Sequence, residues 1–365
     1  MMKKESDYLG LLDKSILKMF RDALKVSLRH PPMAVFVTKT IVHQFFTARL
    51  RSAWGRKGIQ VPPLMIVSVT SQCNLKCKGC YAGELHRKAN AEMTEAQLER
   101  IFKEANELGI SIILIAGGEP LSRPEVLKIA LDYPKIIFPL FTNGLLLTDE
   151  IVGEIKKGQN IVPIISLEGY GPETDARRGR GVYQKLREAL GKLQREKIFF
   201  GVSLTMTREN FGIITSRDFI ANLLDSGAKL FLFVEYVPVK EGTEDLALSE
   251  EQRNRVLDLI QRFRHEYPGL FIAFPGDEVE FGGCLSAGRG FVHVSPDGAL
   301  EPCPFAPYSD TNLKNRTLKE ALNSRLLKEI RQNHGLLSET KGGCALWENR
   351  DWVQDLAQGE TRAVD

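Results

Sequence analysis

The sequence lacks three features that would set it apart from ordinary globular proteins. No apolar run reaches the roughly 18–20 residues that span a bilayer, because Lys39 and His43 interrupt the best candidate. No charged start followed by an apolar core and a small-residue cleavage site is present, so secretion is not indicated. A strong charge of one sign is also missing, since 49 basic and 46 acidic residues leave a net charge of only +3. These absences predict a cytoplasmic globular protein.

Cysteine is scarce, and its placement is informative. The chain has six cysteines. In a reducing compartment, clustered cysteines more often bind metal or carry out chemistry than form disulfides.

Positive charge is concentrated in residues 1–62, which contain 12 basic and 4 acidic residues. Two helical segments are predicted there, Leu11–Leu28 and Met33–Leu50, separated by two prolines. A basic amphipathic pair of this kind suggests peripheral contact with an anionic membrane or a lipid-like substrate. The alternative is a pair of helices that pack on the rest of the protein with a solvated basic face. Nucleic acid is not indicated, because aromatic stacking platforms and a recognisable binding motif are missing.

From residue 64 onward, short β-like runs alternate with amphipathic helical segments. The predicted strands are Leu64–Val69, Ser111–Ala116, Ile136–Phe141, Ile161–Leu167, Phe199–Thr205 and Lys229–Val237. Capping boxes that begin helices are predicted at Thr94/Gln97, Ser249/Gln252 and Thr317/Glu320. The alternation predicts an α/β fold, either a partial (β/α)6 TIM-like barrel or a doubly wound sheet. In both, ligands bind at the carboxyl ends of the strands.

The pattern changes after about residue 275. Phe291–Val294 and Ala299–Pro302 flank a Ser-Pro-Asp-Gly turn and predict a hairpin. We therefore expect three parts: a basic helical arm over 1–62, a (β/α)6 core over 63–274 and a small C-terminal domain over 275–365.

Three cysteines, Cys73, Cys77 and Cys80, follow the first predicted strand with the spacing C-x3-C-x2-C. Three thiolates on one loop can hold three irons of a cubane cluster and leave the fourth iron open for a ligand. A structural zinc site is the alternative, but it needs a fourth ligand, for which His86 is the nearest candidate.

This motif in this position resembles the radical S-adenosylmethionine (radical SAM) superfamily. The resemblance implies a SAM-binding 4Fe-4S cluster on Cys73, Cys77 and Cys80. It also implies reductive cleavage of SAM to a 5′-deoxyadenosyl radical that abstracts hydrogen from a substrate. Many members place an aromatic residue just before the third cysteine, whereas this chain has Gly79 there.

Further segments resemble motifs of the same superfamily. Gly117, Gly118 and Glu119, followed by proline, resemble its GGEP motif, which implies contact with the SAM ammonium group. Asn143 lies in a segment that resembles the TNG motif, and Ser166 in one that resembles SLDG, with Glu168 in place of Asp. The resemblance implies SAM contacts for these segments, and the remaining cofactor-binding prediction is Arg178, as a partner of the SAM carboxylate.

The remaining cysteines, Cys284, Cys303 and Cys344, fall in a region that resembles a reduced SPASM or twitch domain. The resemblance implies one auxiliary iron-sulfur cluster, whose fourth iron is open or bound by Asp, His or substrate. The alternative is three buried thiols at unrelated core positions.

The residues together predict an enzyme that activates a C–H bond of a small-molecule or lipid-like substrate. A reductant such as flavodoxin or ferredoxin would supply the electron. Two alternatives stay open: a peptide-modifying SPASM enzyme, and a non-catalytic iron-sulfur binding or sensing protein. No catalytic acid or base is predicted, although Glu235 and Tyr236 follow the sixth strand at the expected active end.

Overall fold

A computed structural model describes residues 2–28, 31–86, 91–275, 281–337 and 344–359, with side chains from residue 10 onward. Arg29 of the predicted basic arm lies outside these residues. The α-helices are α1 Met2–Ser27, α2 Pro31–Arg56, α3 Tyr81–Leu85, α4 Glu95–Leu108, α5 Glu125–Leu131, α6 Asp149–Lys157, α7 Gly171–Arg178, α8 Val182–Arg195, α9 Phe211–Ile214, α10 Arg217–Asp225, α11 Glu250–Glu266, α12 Leu318–Ala321, α13 Arg325–Gln332, α14 Ala345–Glu348 and α15 Arg350–Gln358.

The helices surround one sheet of nine strands. They are β1 Leu64–Thr70, β2 Ile112–Gly117, β3 Phe138–Thr142, β4 Ile161–Leu167, β5 Gly201–Met206, β6 Leu230–Glu235, β7 Leu270–Phe274, β8 Phe291–Val294 and β9 Leu300–Glu301. Their order in the sheet is β7-β6-β5-β4-β3-β2-β1-β8-β9. Every neighbouring pair is parallel except β8 and β9, which form an antiparallel hairpin. This mostly parallel, open architecture confirms the predicted α/β fold.

The six predicted strands are all present, with ends within two residues of the predicted ones. The prediction missed β7, a short apolar strand that pairs with β6 from Leu230↔Leu270 onward. The predicted hairpin is also present, and its first strand pairs with β1, so the sheet continues into the C-terminal region. The division into three domains stays a prediction.

The three predicted capping boxes are present, at the amino ends of α4, α11 and α12. In α4 the side chain of Thr94 accepts a hydrogen bond from the backbone of Gln97, and the Gln97 side chain accepts one from the backbone of Thr94. The helix ends at Gly109, whose φ of 91° lies in the left-handed region. The capping box thus fixes where α4 begins, and Gly109 fixes where it ends.

The helices α1 and α2 form a hairpin against the amino ends of the strands. Phe20 of α1 packs with Ile112, the first residue of β2, and with Val162 near the start of β4. Met33 and Val37 of α2 pack with residues that include Leu270, the first residue of β7. One face of the arm therefore packs on the rest of the protein, as predicted by the alternative of two packing helices. Among the described residues, no helix combines the length and hydropathy that a membrane crossing requires.

Candidate active site

The loop between β1 and α3 carries the first three cysteines at the carboxyl edge of the sheet. Cys73 is exposed, and Cys77 and Cys80 are half-buried. Burial raises the pKa of the Cys77 thiol, and charge on Cys80 or Cys73 raises it further. Charge on Cys80 likewise raises the pKa of the Cys73 thiol. The three thiols therefore lie close enough to interact electrostatically, which fits the donor set of one metal cluster.

Two glycines join the end of β2 to the beginning of this loop. The backbone NH of Gly118 donates to the Thr70 carbonyl at 2.8 Å, and that of Glu119 donates to the Gln72 carbonyl at 2.7 Å. A Cβ atom on Gly118 would collide with the carbonyl oxygen of Gln72, and one on Gly117 with that of Thr70. Only glycine permits this close approach, so the GGEP segment and the cysteine loop form one unit.

Glu119 is fully buried, and its carboxylate is directed at the protein. One oxygen accepts hydrogen bonds from the backbone of Leu121 at 3.0 Å and the hydroxyl of Thr142 at 2.7 Å. The other accepts from the backbone of Asn143 at 2.7 Å. Burial raises the pKa of Glu119, and these three donors act in the opposite direction. Glu119 thus binds the end of β3 to the GGEP segment.

Asn143 links that segment to the first cysteine. Its side-chain amide donates to Asn74 at 2.7 Å and approaches the sulfur of Cys73 at 3.8 Å. The predicted residues Gly117, Glu119 and Asn143 are therefore brought to the cysteine loop.

Arg178 lies beside the cysteines, paired with the buried carboxylate of Glu168. One oxygen of Glu168 accepts from Arg177 at 2.5 Å and from Arg178 at 2.6 Å. Burial lowers the pKa of Arg178, but the charge and hydrogen bond of Glu168, together with the charges of Cys77 and Cys80, outweigh that effect and raise it. Arg178 in turn favours the Cys77 thiolate. The second oxygen of Glu168 is buried and has no hydrogen-bond partner among the described residues.

Ser166 lies on the inner face of the barrel, next to Ser203 of β5 in register. Ser166 follows Val162 and Ile164 at alternate positions of β4, so it lies on the same face of the sheet as these two residues, which pack with Phe20 of the arm. The inner face is therefore apolar at the amino ends, where the arm covers it, and carries hydroxyl groups towards the cysteine loop. Such a lumen can accept a polar ligand from the carboxyl side.

Sequence reasoning placed Tyr236 at the expected active end but did not find that it faces Gly79. The side chain of Tyr236, directly after β6, fills the space beside Gly79, and the guanidinium of Arg177 lies 5.8 Å from the centre of its ring. Its hydroxyl makes a 2.8 Å hydrogen bond with Thr243. Glu235 is also buried, but it is paired with Arg253 at 2.7 Å.

Glu92 is a second residue that sequence reasoning missed. Its carboxylate accepts from the backbone and hydroxyl of Ser71 at 2.8 and 2.9 Å and from the hydroxyl of Thr70 at 2.9 Å. It thereby fixes the first turn of the cysteine loop. A lone glutamate outside any motif gives no signal of such a role.

The three C-terminal cysteines converge although 18 and 40 residues separate them along the chain. Cys284 and Cys303 are buried and Cys344 is half-buried. Burial raises the pKa of Cys303 well above its usual value, and a hydrogen bond with Cys344 and the charges of Cys344 and Cys284 add to this. The structure thus brings together three thiols that the alternative placed at unrelated core positions.

Tyr81 lies between the two cysteine groups. Burial raises its pKa, and so do the charges of Cys80 and Cys303, one from each group. Its ring lies 4.9 Å from that of Phe305. The nearby His86 is buried, with its Nε2 at 2.8 Å from the carbonyl of Pro304. This histidine is therefore engaged with the C-terminal region, which does not support it as a fourth zinc ligand.

Comparison with known proteins agrees with these features. The sequence model of the radical SAM superfamily matches residues 67–219. An AdoMet-dependent heme synthase of Methanosarcina barkeri is 26% identical over 79% of this chain and 88% of that protein. The mycofactocin maturase MftC of Mycobacterium tuberculosis is 26% identical over 79% of each chain.

Among solved structures, Streptococcus suis SuiB bound to its precursor peptide SuiA aligns with a TM-score of 0.62 and 19% identity. The alignment covers 83% of this chain and 77% of SuiB. At that identity the likeness concerns the fold alone.

The cofactors of the radical SAM superfamily fit the residues present. Three thiols share one loop, two glycines let the end of β2 approach that loop more closely than any Cβ would allow, and Glu168 offers a buried oxygen that no described residue engages. Together with the fold, the family match identifies residues 67–219 as a radical SAM domain, and the chain is similar to radical SAM enzymes.

Proposed function

We propose that this enzyme abstracts hydrogen from a small-molecule or lipid-like substrate, assisted by one auxiliary iron-sulfur cluster. The observation that carries the proposal is that the loop with Cys73, Cys77 and Cys80 lies against Gly117 and Gly118 at the carboxyl edge of the barrel. When bound, the cluster and SAM supply a one-electron cleavage that gives methionine and a 5′-deoxyadenosyl radical.

The protein's own groups would bind and orient these cofactors. Cys73, Cys77 and Cys80 would bind the cluster as thiolates, and Arg178 favours the charged form of Cys77. The unpartnered oxygen of Glu168 would accept a hydrogen bond from a hydroxyl or ammonium group of SAM. Glu119 would act through the backbone it holds, because both of its oxygens are already engaged.

The arm no longer favours a lipid-like substrate over other small molecules. It covers the amino ends of the strands, whereas the cysteine loop lies at their carboxyl ends. The hydroxyl groups of Ser166 and Ser203 on the inner face suit a polar molecule. The heme synthase similarity is compatible with a small-molecule substrate.

A peptide substrate is the second candidate. It is favoured by the similarity to a mycofactocin maturase and by the fold shared with a protein solved with its precursor peptide. Since the relatives are synthases and maturases, the non-catalytic sensor hypothesis is not supported. A flavodoxin- or ferredoxin-type reductant, and a cytoplasmic location with peripheral membrane contact, are further proposals.

The test is anaerobic reconstitution followed by incubation with SAM and dithionite. Chromatography should show methionine and 5′-deoxyadenosine, and replacing Cys73, Cys77 and Cys80 together by Ala should abolish both products. Undiminished cleavage by that variant would refute the assignment. Adding a short peptide encoded beside the gene, or instead candidate small molecules, would separate the two substrate classes by which one is modified.

A further inference from the structure

The exposed large hydrophobic side chains of this protein are concentrated on the arm. Of the nine among the described residues, seven lie on or directly after α1 and α2. The most exposed of those within α2 are Val35, Val42, Phe45 and Phe46, each more than half accessible. Their spacing places them along one side of the helix. An apolar stripe of this size on a folded surface indicates a binding site.

The opposite side of α2 already has its packing partners. Met33 and Val37 are 5% exposed and lie in the cluster at the amino ends of the strands. The helix is therefore apolar on both sides, and only one side serves the fold. The exposed stripe needs a different physical explanation.

A basic stripe runs along the neighbouring helix. Lys14, Lys18, Arg21 and Lys25 are exposed on α1 at intervals of three and four residues, so they share one face. Within the part of α1 whose side chains are described, the acidic residues are Asp13 and Asp22, and each is ion-paired, with Arg51 and Lys25 respectively.

The second helix extends this positive surface. Its 26 residues include no Asp or Glu, and Lys39 and Arg49 are exposed among its apolar residues. The loop between α5 and β3 adds Lys135; burial lowers the pKa of His43 on α2, and the charge of Lys135 lowers it further. The surface therefore combines apolar side chains with a consistent positive charge.

A groove of about 500 Å³ lies at the start of α2. Val35 and Phe36 form part of its apolar wall, and Lys39 and Lys157 also line it. An apolar wall beside two ammonium groups matches the chemistry of a phospholipid, which joins acyl chains to a phosphate.

We propose that the α1–α2 hairpin docks on an anionic lipid bilayer, with Val42, Phe45 and Phe46 in the interfacial layer and the basic stripe on the phosphates. Both features of the surface are then used, as in interfacial amphipathic helices. A symmetric dimer through the same face would bring the basic stripes of the two copies towards each other, which disfavours self-association. The cysteine loop, at the opposite end of the barrel, would point away from the bilayer. This inference does not rest on the proposed chemistry.

The experiment is co-sedimentation of the full chain with vesicles of phosphatidylcholine, with and without phosphatidylserine. The charge variant replaces Lys14, Lys18, Arg21 and Lys25 by Gln. Its matched control replaces Lys103, Lys128, Lys185 and Arg187, four exposed basic residues on the outer helices, by Gln. An apolar variant replaces Val42, Phe45 and Phe46 by Ser.

The wild type and the control should sediment with the phosphatidylserine vesicles at low salt, and binding should weaken towards physiological ionic strength. The charge variant should bind at least tenfold more weakly, and the apolar variant should lose binding even at low salt. The proposal is overturned if the wild type stays in the supernatant, or if the charge variant binds as well as its control. It is also overturned if sedimentation velocity without vesicles shows a dimer that the apolar variant dissociates. Thermal unfolding of each variant checks its folding, and SAM cleavage can be measured separately in the same preparations.

Discussion

The phenol of Tyr236 occupies the space that a side chain on Gly79 would need. A Cβ atom at position 79 would collide with the hydroxyl and ring carbons of Tyr236, and Gly79 has a φ of 65°. Many radical SAM proteins carry an aromatic residue at the position of Gly79. In this chain the aromatic ring of Tyr236 reaches the same loop from the end of β6. A residue distant in sequence thus supplies the aromatic group that the motif position itself lacks.

Gly79→Ala should therefore destabilise the cysteine loop. The added methyl group collides with Tyr236, and an L-residue is strained at this φ, so a loss of about 1–3 kcal/mol in the free energy of unfolding is expected. Denaturant unfolding of the metal-free reduced protein measures it. Gly153→Ala, within α6, is the control, because no atom of the described residues lies within 4 Å of a Cβ at that position.

The double variant Gly79→Ala with Tyr236→Ala tests whether the two residues act on each other. Removing the ring makes room for the new methyl group. The double variant should therefore lose less free energy of unfolding than the two single variants lose in sum. Strict additivity would show that Gly79 is required for its backbone conformation alone.

The sequence predicted the elements of this site better than their contacts. Motif spacing located Cys73 and Gly118, because local chain geometry forces three thiols onto one loop and glycine into a close backbone approach. The role of Tyr236 depends on how far β6 extends relative to the loop after β1, which no local pattern specifies. The GGEP segment, with Glu119, was predicted to contact the SAM ammonium group, which stays a prediction; the hydrogen bonds that the Glu119 carboxylate accepts from Thr142 and Asn143 were not predicted, although a buried carboxylate requires donors.

The missed strand β7 has a similar cause. Its five residues, Leu270–Phe274, form a short apolar run that does not alternate, and such a run is ambiguous in sequence. Pairing with β6 decides its conformation.

Glu168→Gln should be strongly destabilising. The carboxylate is 1% exposed and neutralises Arg177 and Arg178, so its loss leaves two largely buried guanidinium groups without their counter-ion. The expected loss is on the order of 3 kcal/mol in the free energy of unfolding. Glu154→Gln is the matched control: its partner Lys157 is exposed, so a change of about 0.5 kcal/mol or less is expected. Equal effects of the two substitutions would contradict the role assigned to Glu168.

Glu92→Gln should weaken the protein at neutral pH but not in acid. Although burial raises the pKa of Glu92, the hydrogen bonds from Ser71 and Thr70 outweigh that effect and hold it below its ordinary value of 4.5. Since the native pKa is depressed, the ionised carboxylate contributes stability above pH 4.5, and this contribution is lost as pH falls through the native pKa.

The difference between wild type and Glu92→Gln should be about 1–2 kcal/mol at pH 7 and should shrink steadily below pH 4.5. Urea unfolding of the metal-free protein at a series of pH values measures it. Glu107→Gln, at an exposed position of α4, serves as the control. A difference that is constant with pH would mean that Glu92 acts through packing rather than through its charge.

The last prediction concerns Cys284, Cys303 and Cys344. If these thiols bind an auxiliary cluster, replacing all three by Ala should lower the iron content by about four atoms per chain. SAM cleavage should persist, because the loop with Cys73 is held by Glu92, Glu119 and Asn143 rather than by the C-terminal cysteines. The triad variant provides the complementary control, losing cleavage while keeping the C-terminal iron. Since burial keeps the Cys303 thiol protonated in the metal-free protein, iron loading at this site should release protons and become more favourable as pH rises. Iron analysis, with circular dichroism to confirm folding, decides the question: unchanged iron in a folded triple variant would show that these thiols bind no cluster.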